Sequence, residues 1–465
     1  MSLILPGNVA TATAATGYTV ANSCRFNDGD SAYMHLTSGS AGNRRTFTFS
    51  CWYKRASITT GATQSLLVGS SCESFIDIGS NDKLIVAMQD SGGSPSVTTN
   101  QVFRDIGAWY HICIAVDTTQ GTDTNRIKIY INGTIIPVAD LTVTAWPSSS
   151  EQATFNDGNK HYLGANCSPG QYLDGYLAEV CLIDGQALTP TSFGEFDEDS
   201  PTIFKPIDVS ELTFGDEGWY LDFEDSDNLG DDESGNTNDF TEVNLAATDQ
   251  ASDSPTNNFC TMNPLDNYFF GAAFSEGNLK VVSTSSIETF GTGTMGVASG
   301  KWYWEVKVTS ASGYTNIGIA SEVSDSASNY LGEKASTPNY MYDSGTGDSY
   351  TGGSGTDHGD TYTDGDIISV ALNLDDNEIN YYKNGTVQNS GTAVSITAAA
   401  STPIGFYLPA GGDRHDDSAT LEFNFGNPSY ANTSDAADAN GYGAFEYAPP
   451  SGYYALCTKN LAEYG

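Results

Sequence analysis

Two short turns constrain this chain more than anything else in it. In Arg126-Ile127-Lys128-Ile129-Tyr130-Ile131-Asn132-Gly133-Thr134-Ile135-Ile136, Ile occupies every second position up to an Asn-Gly pair. A two-residue type I′ turn needs positive φ at both central residues, which Asn and Gly tolerate, so the run predicts a β-hairpin. Glu378-Ile379-Asn380-Tyr381-Tyr382-Lys383-Asn384-Gly385-Thr386 repeats the device in the second half of the chain. Between them Gly, Asn, Asp, Ser and Thr punctuate short runs rich in Tyr, Phe, Val and Ile, and no long window carries a 3.6-residue apolar period. The chain therefore reads as all-β. At 465 residues it exceeds what one hydrophobic core serves, so two antiparallel β-sandwich domains with irregular terminal segments are expected.

An internal echo suggests where the parts meet. Phe259-Cys260-Thr261-Met262-Asn263-Pro264-Leu265 resembles Leu456-Cys457-Thr458-Lys459-Asn460-Leu461, and both read as closing segments. The expected organisation is an extended arm over 1–22, a first sandwich over 23–200, an acidic connecting segment over 201–265 packed on the first sandwich, a second sandwich over 266–430, and a C-terminal segment over 431–465. Trp219-Tyr220-Leu221-Asp222-Phe223 alternates like a strand, so the acidic segment is not expected to be a loose linker throughout.

Charge narrows the partners. Eighteen Lys and Arg against 58 Asp and Glu give a formal charge of −40. Phosphate binding needs clustered cations, so no nucleic-acid role is expected, and anionic membranes repel such a surface. No apolar stretch reaches membrane-spanning length, and the start of the sequence lacks the basic residues and apolar run of a secretory signal. The eight cysteines form no Cys-x-x-Cys or Cys/His cluster, so no zinc site is assigned; Cys51, Cys113 and Cys181 sit in apolar runs as small hydrophobes.

Ordered motifs carry two resemblances. Arg25 to Tyr33, Phe47 to Arg55, Trp109 to Asp117, the Ile129 to Gly133 hairpin and Leu173 to Val180 together resemble the laminin-G/concanavalin-like jelly roll over about residues 22–195. Gly300 to Val306, Ile317 to Ala320, Gly365 to Leu374, Tyr382 to Gly385, Pro403 to Tyr407 and Leu421 to Gly426 resemble a SPRY domain, whose edge loops bind partners without a known catalytic constellation. The combination is similar to virion structural proteins of tailed phages from aquatic settings, in fibre, tail or capsid-surface positions. That resemblance implies an oligomer, a trimer by analogy with fibres, on the virion surface and made in the host bacterial cytoplasm. It also implies docking to other virion proteins through residues 1–22 and attachment to a host-surface glycan. Fold does not dictate function, so a concanavalin-like glycoside hydrolase and a bacterial adhesin stand as alternatives.

Candidate sites follow from chemistry. Concanavalin-like glucanases use a Glu-x-Asp-x-x-Glu run on one strand, with carboxylates about 5 to 5.5 Å apart. Here Asp222, Glu224 and Asp227 share that spacing with Asp and Glu exchanged, and on a strand Asp222 and Glu224 would share a face. The region is acidic everywhere, so no catalytic set is assigned and no enzyme is expected. Asp225, Asp227, Asp231 and Asp232 offer the hard oxygens calcium prefers, and a plain solvated acidic loop is the competing reading; no other cofactor is implied. Tyr342, Asp343, Tyr350, Asp357, His358 and Asp360 combine aromatic faces with hydroxyl-binding groups, the mixture a glycan site uses, although part of the stretch falls where SPRY domains carry a structural hairpin. Asn156, Asp157, Asn159, His161 and Asn166 form a comparable polar loop in the first domain. His111 reads as a satisfied strand residue.

Overall fold

The computed structural model describes residues 17–58, 61–88, 95–284, 286–311, 313–414 and 418–465. The chain divides into two compact units, one over 14–256 and one built from 257–465. Residues 1–16 of the expected arm lie outside the described residues.

In the first unit the strands form two sheets face to face. One sheet runs, from edge to edge, through Thr134–Ile135, Ile127–Ile131, Trp109–Asp117, Thr46–Arg55, Gly175–Asp184, Ser23–Phe26 and Gln250–Ala251, with Trp219–Leu221 also on Gly175–Asp184. The other runs Leu141–Val143, Ser96–Val102, Lys83–Ala87, Phe75–Ile78, Gln64–Val68, Lys160–Leu163, Tyr33–Thr37 and Thr241–Val243. Alternation along each strand sends one set of side chains inward. Phe47, Phe49, Ile112 and Ile114 from the first sheet meet Met34, Leu36, Ile76, Ile78, Leu84 and Val86 from the second in one core. A satellite core on the outside of the first sheet joins Cys113, Cys181 and Ile183 to Phe193, Val209, Phe214 and Tyr220. The acidic segment is thus anchored by apolar side chains, with Trp219 in the main core and Tyr220 in the satellite.

The second unit is another pair of sheets. Ala273–Ser275, Lys280–Val282, Thr420–Asn424, Lys301–Ser310, Ile367–Asn373, Glu378–Lys383 and Thr386–Val387 make one; Thr289–Thr292, Leu408–Asp413, Thr315–Ala320, Tyr340–Asp343, Asp348–Thr351 and Ser354–Asp357 make the other. Trp302, Trp304, Val306, Ile317, Ile319, Val370 and Phe423 fill the space between them. The molecule is all-β and antiparallel almost throughout, with a parallel contact of Trp302 and Tyr303 against Tyr454 and Ala455, and a short helix over Thr458–Tyr464.

Both diagnostic turns form as the Asn-Gly pairs require, with φ of 47° and 76° at Asn132 and Gly133 and 48° and 77° at Asn384 and Gly385. The echo between Phe259 and Cys457 has a different meaning from two parallel endings: these residues pair with each other, antiparallel, and the Cys260 N–H donates to the Leu456 carbonyl at 3.0 Å. The Phe259 segment therefore opens the second unit and is closed over by its last residues.

Candidate functional site

The outward face of the second sheet in the first unit carries a cluster of partly exposed aromatic rings beside a cavity. Because Met34, Leu36, Leu163, Ile76 and Ile78 point into the core, their alternating neighbours Tyr33, His35, Tyr162, Phe75 and Asp77 take the opposite side. Register then assembles them. Tyr162 stands across from His35 on one neighbouring strand and from Val68 on the other, and Val68 stands across from Phe75. The Tyr33 ring centroid lies 6.2 Å from each of His35, Tyr162 and Tyr172, and His35 lies 6.4 Å from Tyr162, all partly exposed. The Lys160 ammonium sits 5.8 Å over the Tyr162 ring. Burial first, then the Lys160 charge, push His35 below its ordinary pKa, so its imidazole is neutral at pH 7.

Beside this aromatic row the face sinks into a cavity of about 310 Å³. Val68, Phe75 and Ile85 supply an apolar wall; Thr63, Asn166 and Gln171 supply hydroxyl and amide groups; Asp77 lies in the lining. The Cys72–Cys167 disulfide ties the two loops at the rim. Asn166 donates its amide to the Gln171 side-chain oxygen at 3.1 Å and accepts the Cys167 N–H at 2.6 Å, which fixes its side chain in the lining. Asp77 is 6% exposed, and its Oδ1 makes no hydrogen bond of normal geometry among the described residues, although the Ser65 hydroxyl stands across the strand pair from it. Burial pushes its carboxyl up to about 7 against a smaller downward pull from the Ser65 hydroxyl. An aromatic face next to a pocket with amides and a carboxyl is the chemistry that holds a neutral, hydroxylated ligand.

The residues singled out from the sequence are placed as follows. Tyr342 and Asp343 are fully buried. The Tyr342 ring stacks 5.2 Å from Tyr381 and its hydroxyl donates to the Asp360 carbonyl, while Asp343 Oδ1 accepts from the backbone N–H of Gly345 and Thr346. His358 is buried against Tyr342 and Tyr381. Only Tyr350, Asp357 and Asp360 of that set reach the surface. The ring of Tyr350 is covered by the Arg414 guanidinium at 4.6 Å, which also lies 4.9 Å from Tyr314 and 5.3 Å from Tyr330.

The strand expected through Phe223 ends at Leu221. Phe223 turns into the left-handed region at φ 62° and Asp222 Oδ1 accepts the Glu224 N–H at 2.9 Å, so Asp222 and Glu224 sit on a turn and share no strand face. Asp227 is exposed three residues on, beyond a further turn in which its N–H donates to Asp225 Oδ1.

Nor do the four aspartates build a calcium cage. Asp232 is buried, with Oδ1 accepting from the Tyr220 and Ser234 N–H and Oδ2 from the Ser234 hydroxyl and the Asn238 N–H, so both its oxygens serve the loop itself. Among the described residues no three His, Cys, Asp or Glu side chains converge to hold a metal ion. The donor set therefore does not fit calcium.

His111 is buried between Trp52 and Phe204, each 5.0 Å away, with Nε2 2.9 Å from the Ser50 hydroxyl. In the polar loop of the first unit, Asn156 donates its N–H to His161 Nε2 at 2.8 Å and Asp157 accepts from Ser70; Asn166 alone of that set lines the cavity. Tyr33, His35, Tyr162, Tyr172 and Asp77 were not reached from sequence as a site. The available signal was a polar or aromatic residue on the outward phase of otherwise apolar strands.

These two units define a pair of antiparallel sandwiches, each with its own core. Residues 28–192 match the family model described as Concanavalin A-like lectin/glucanases superfamily, and residues 301–426 match that of the SPRY domain. The chain thus carries a concanavalin-like domain of laminin-G type followed by a SPRY domain. Among solved structures it is similar to the SPRY domain of human HERC1 (16% identity, 35% of this chain and 96% of that one, TM-score 0.27). It is also similar to a Bacteroides ovatus protein proposed to be carbohydrate binding (16%, 49% and 61%, 0.34) and to the heptameric SAP-like pentraxin of Limulus polyphemus (16%, 37% and 80%, 0.28). No curated protein matches the sequence.

Proposed function

We propose that this chain is a non-enzymatic recognition protein that binds surface glycans through the aromatic face of its concanavalin-like domain, and that it is displayed as a homo-oligomer on the virion of a tailed phage. The observation that carries the glycan reading is the cluster of Tyr33, His35, Tyr162 and Tyr172, with centroids within 6.4 Å of a neighbour, on one sheet face. Sugar rings present C–H faces that pack on such rings and hydroxyls that bond to the polar groups around them. The virion reading rests on the order of sequence motifs along both domains, and it gives residues 1–22 the role of docking to the particle. The SPRY domain then supplies a second set of edge loops for contacts with neighbouring virion proteins.

The test is adsorption of the purified chain to a panel of bacterial surface polysaccharides. Binding should fall roughly two- to twelvefold in Tyr162→Ala and in Tyr33→Ala, since loss of one stacked ring removes roughly 0.5–1.5 kcal/mol. Polysaccharide hydrolysis by the wild type would instead favour a hydrolase. Labelled protein that fails to appear on intact phage particles, with its gene lying among cell-surface genes, would favour an adhesin.

A further inference from the structure

The cavity beside the aromatic row has features that the row alone does not explain. Its volume of about 310 Å³ lies at the lower end of small-molecule sites, which run from about 300 to 1,000 Å³, so it suits one sugar ring rather than several. Its apolar side, Val68, Phe75 and Ile85, is opposed by Asn166 and Gln171 at the rim. Asp77 is more than nine-tenths buried; its Oδ1 makes no hydrogen bond of normal geometry within the described fold, and the one hydroxyl that acts on its carboxyl is that of Ser65, its cross-strand neighbour, which leaves the side facing the cavity open to a second donor. A buried acceptor left without a donor is unfavourable unless something brings one. No lining residue is cationic, so a phosphate or carboxylate group would meet no counter-charge.

We infer that this cavity captures the terminal residue of a glycan, a neutral pyranose whose hydroxyl donates to Asp77 Oδ1 while its C–H face packs on Phe75 and its remaining hydroxyls meet Asn166 and Gln171. The inference rests on the glycan reading above and adds end-on recognition to it: the aromatic row carries the body of the chain and the cavity reads its end. The register supports continuity of the two, because Tyr162 is the direct cross-strand neighbour of Val68, which lines the cavity.

The experiment titrates the full chain with a panel of methyl pyranosides, neutral hexosides and N-acetylhexosaminides, followed by ligand-observed NMR and calorimetry. The wild type should bind at least one of them, and Asp77→Ala should weaken that binding tenfold or more. Because a buried substitution can disturb folding, Ile85→Trp provides a second variant that fills the cavity from a partly exposed position; it should abolish pyranoside binding with the circular dichroism spectrum unchanged. A Tyr268→Ser control, in the other unit and 90% exposed, should leave binding intact. If no pyranoside binds, or if binding survives both cavity variants, the inference is overturned. Polysaccharide adsorption without pyranoside binding removes the pocket and leaves the aromatic face standing. Pyranoside binding without polysaccharide adsorption does the reverse.

Discussion

Glu179 should make the first unit lose stability as the pH rises, and Glu179→Gln should remove that dependence. The residue lies on the strand Gly175–Asp184 where the ladder with Thr46–Arg55 is interrupted between Ala178 and Cys181, and its φ is 49°. It is 5% exposed, and its Oε2 accepts from the Tyr220 hydroxyl at 2.9 Å and from Tyr18 at 3.4 Å. Burial, reinforced by the charges of Asp222 and Glu224 and opposed by the tyrosine hydroxyls, pushes its carboxyl from 4.5 up to about 8. A group whose folded pKa lies above its unfolded one holds its proton in the fold and releases it on unfolding. Its contribution is complete below pH 4.5 and is lost as the pH climbs toward 8. At about 1.4 kcal/mol per pKa unit, the unfolded chain gains ~3 kcal/mol between pH 4.5 and 7 from this carboxyl alone. Gln keeps the shape, the acceptor for Tyr220 and the same backbone strain, so the difference between the two proteins isolates the proton. Native-state hydrogen exchange, corrected for intrinsic amide rates and read on peptides covering 176–183 and 219–221, measures it in the intact chain. The curves should converge near pH 4.5 and part by roughly 2–3 kcal/mol at pH 7, with the variant the more protected. Curves that stay parallel over that range would refute the reasoning.

Three further outcomes are expected. Asp253 is fully buried, 2.6 Å from the Lys54 ammonium and 3.0 Å from Trp109 Nε1, so Asp253→Ala strands a buried cation and should destabilise the first unit by ~3–5 kcal/mol in chemical denaturation. Glu305 in the second unit accepts the N–H groups of Glu446 and Tyr447 at 2.9 and 2.8 Å and the Tyr303 hydroxyl at 3.0 Å; Glu305→Ala should expose the 445–447 segment to proteolysis before the sheets unfold. Glycan adsorption should change less than threefold between about 50 and 500 mM NaCl, since screening acts on charge pairs and the aromatic face offers few; a steep decline with salt would count against a neutral ligand.

How far the sequence revealed these features depends on how local each one is. The Asn-Gly hairpins were legible because a type I′ turn is specified by two adjacent residues, and Asn132-Gly133 and Asn384-Gly385 adopt the positive φ values it needs. The strand Trp109–Asp117 was legible because alternation is also local: Ile112, Ile114 and Val116 enter the main core while Cys113, read from the sequence as a small hydrophobe, enters the satellite. The aromatic row was not, because Tyr33, Tyr162 and Tyr172 meet only through pairing of strands far apart in sequence. The run from Tyr340 to Tyr362 pointed to a site through local composition. Both phases of its first strand are covered, Tyr340 and Tyr342 by the main core and Met341 by a separate cluster, so its aromatic content serves packing. At Phe223 a left-handed residue breaks the alternation, a change of direction that no apolar pattern announces.

The charge of −40 acquires meaning once the cations are located. Among the described residues, nine of the eighteen Lys and Arg side chains lie within ion-pair distance of a carboxylate, and Arg25, Lys54 and Arg55 do so from buried positions inside the first unit. The three buried cations hold strands and loops to one another and are withdrawn from the surface, and the other six face a carboxylate. An anionic polymer approaching the chain would meet mostly uncompensated carboxylates, and the repulsion would act over about 8 Å at physiological salt. A neutral glycan escapes that penalty, and the aromatic face proposed as its site would hold it by packing and hydroxyl contacts rather than by charge. The same acidic surface keeps copies of the chain apart except where apolar or hydrogen-bonded patches meet, so a homo-oligomer would form only in the geometry those patches allow. On the proposed reading, charge disfavours anionic ligands and unmatched contacts, while strand register assembles the aromatic face from residues far apart in sequence.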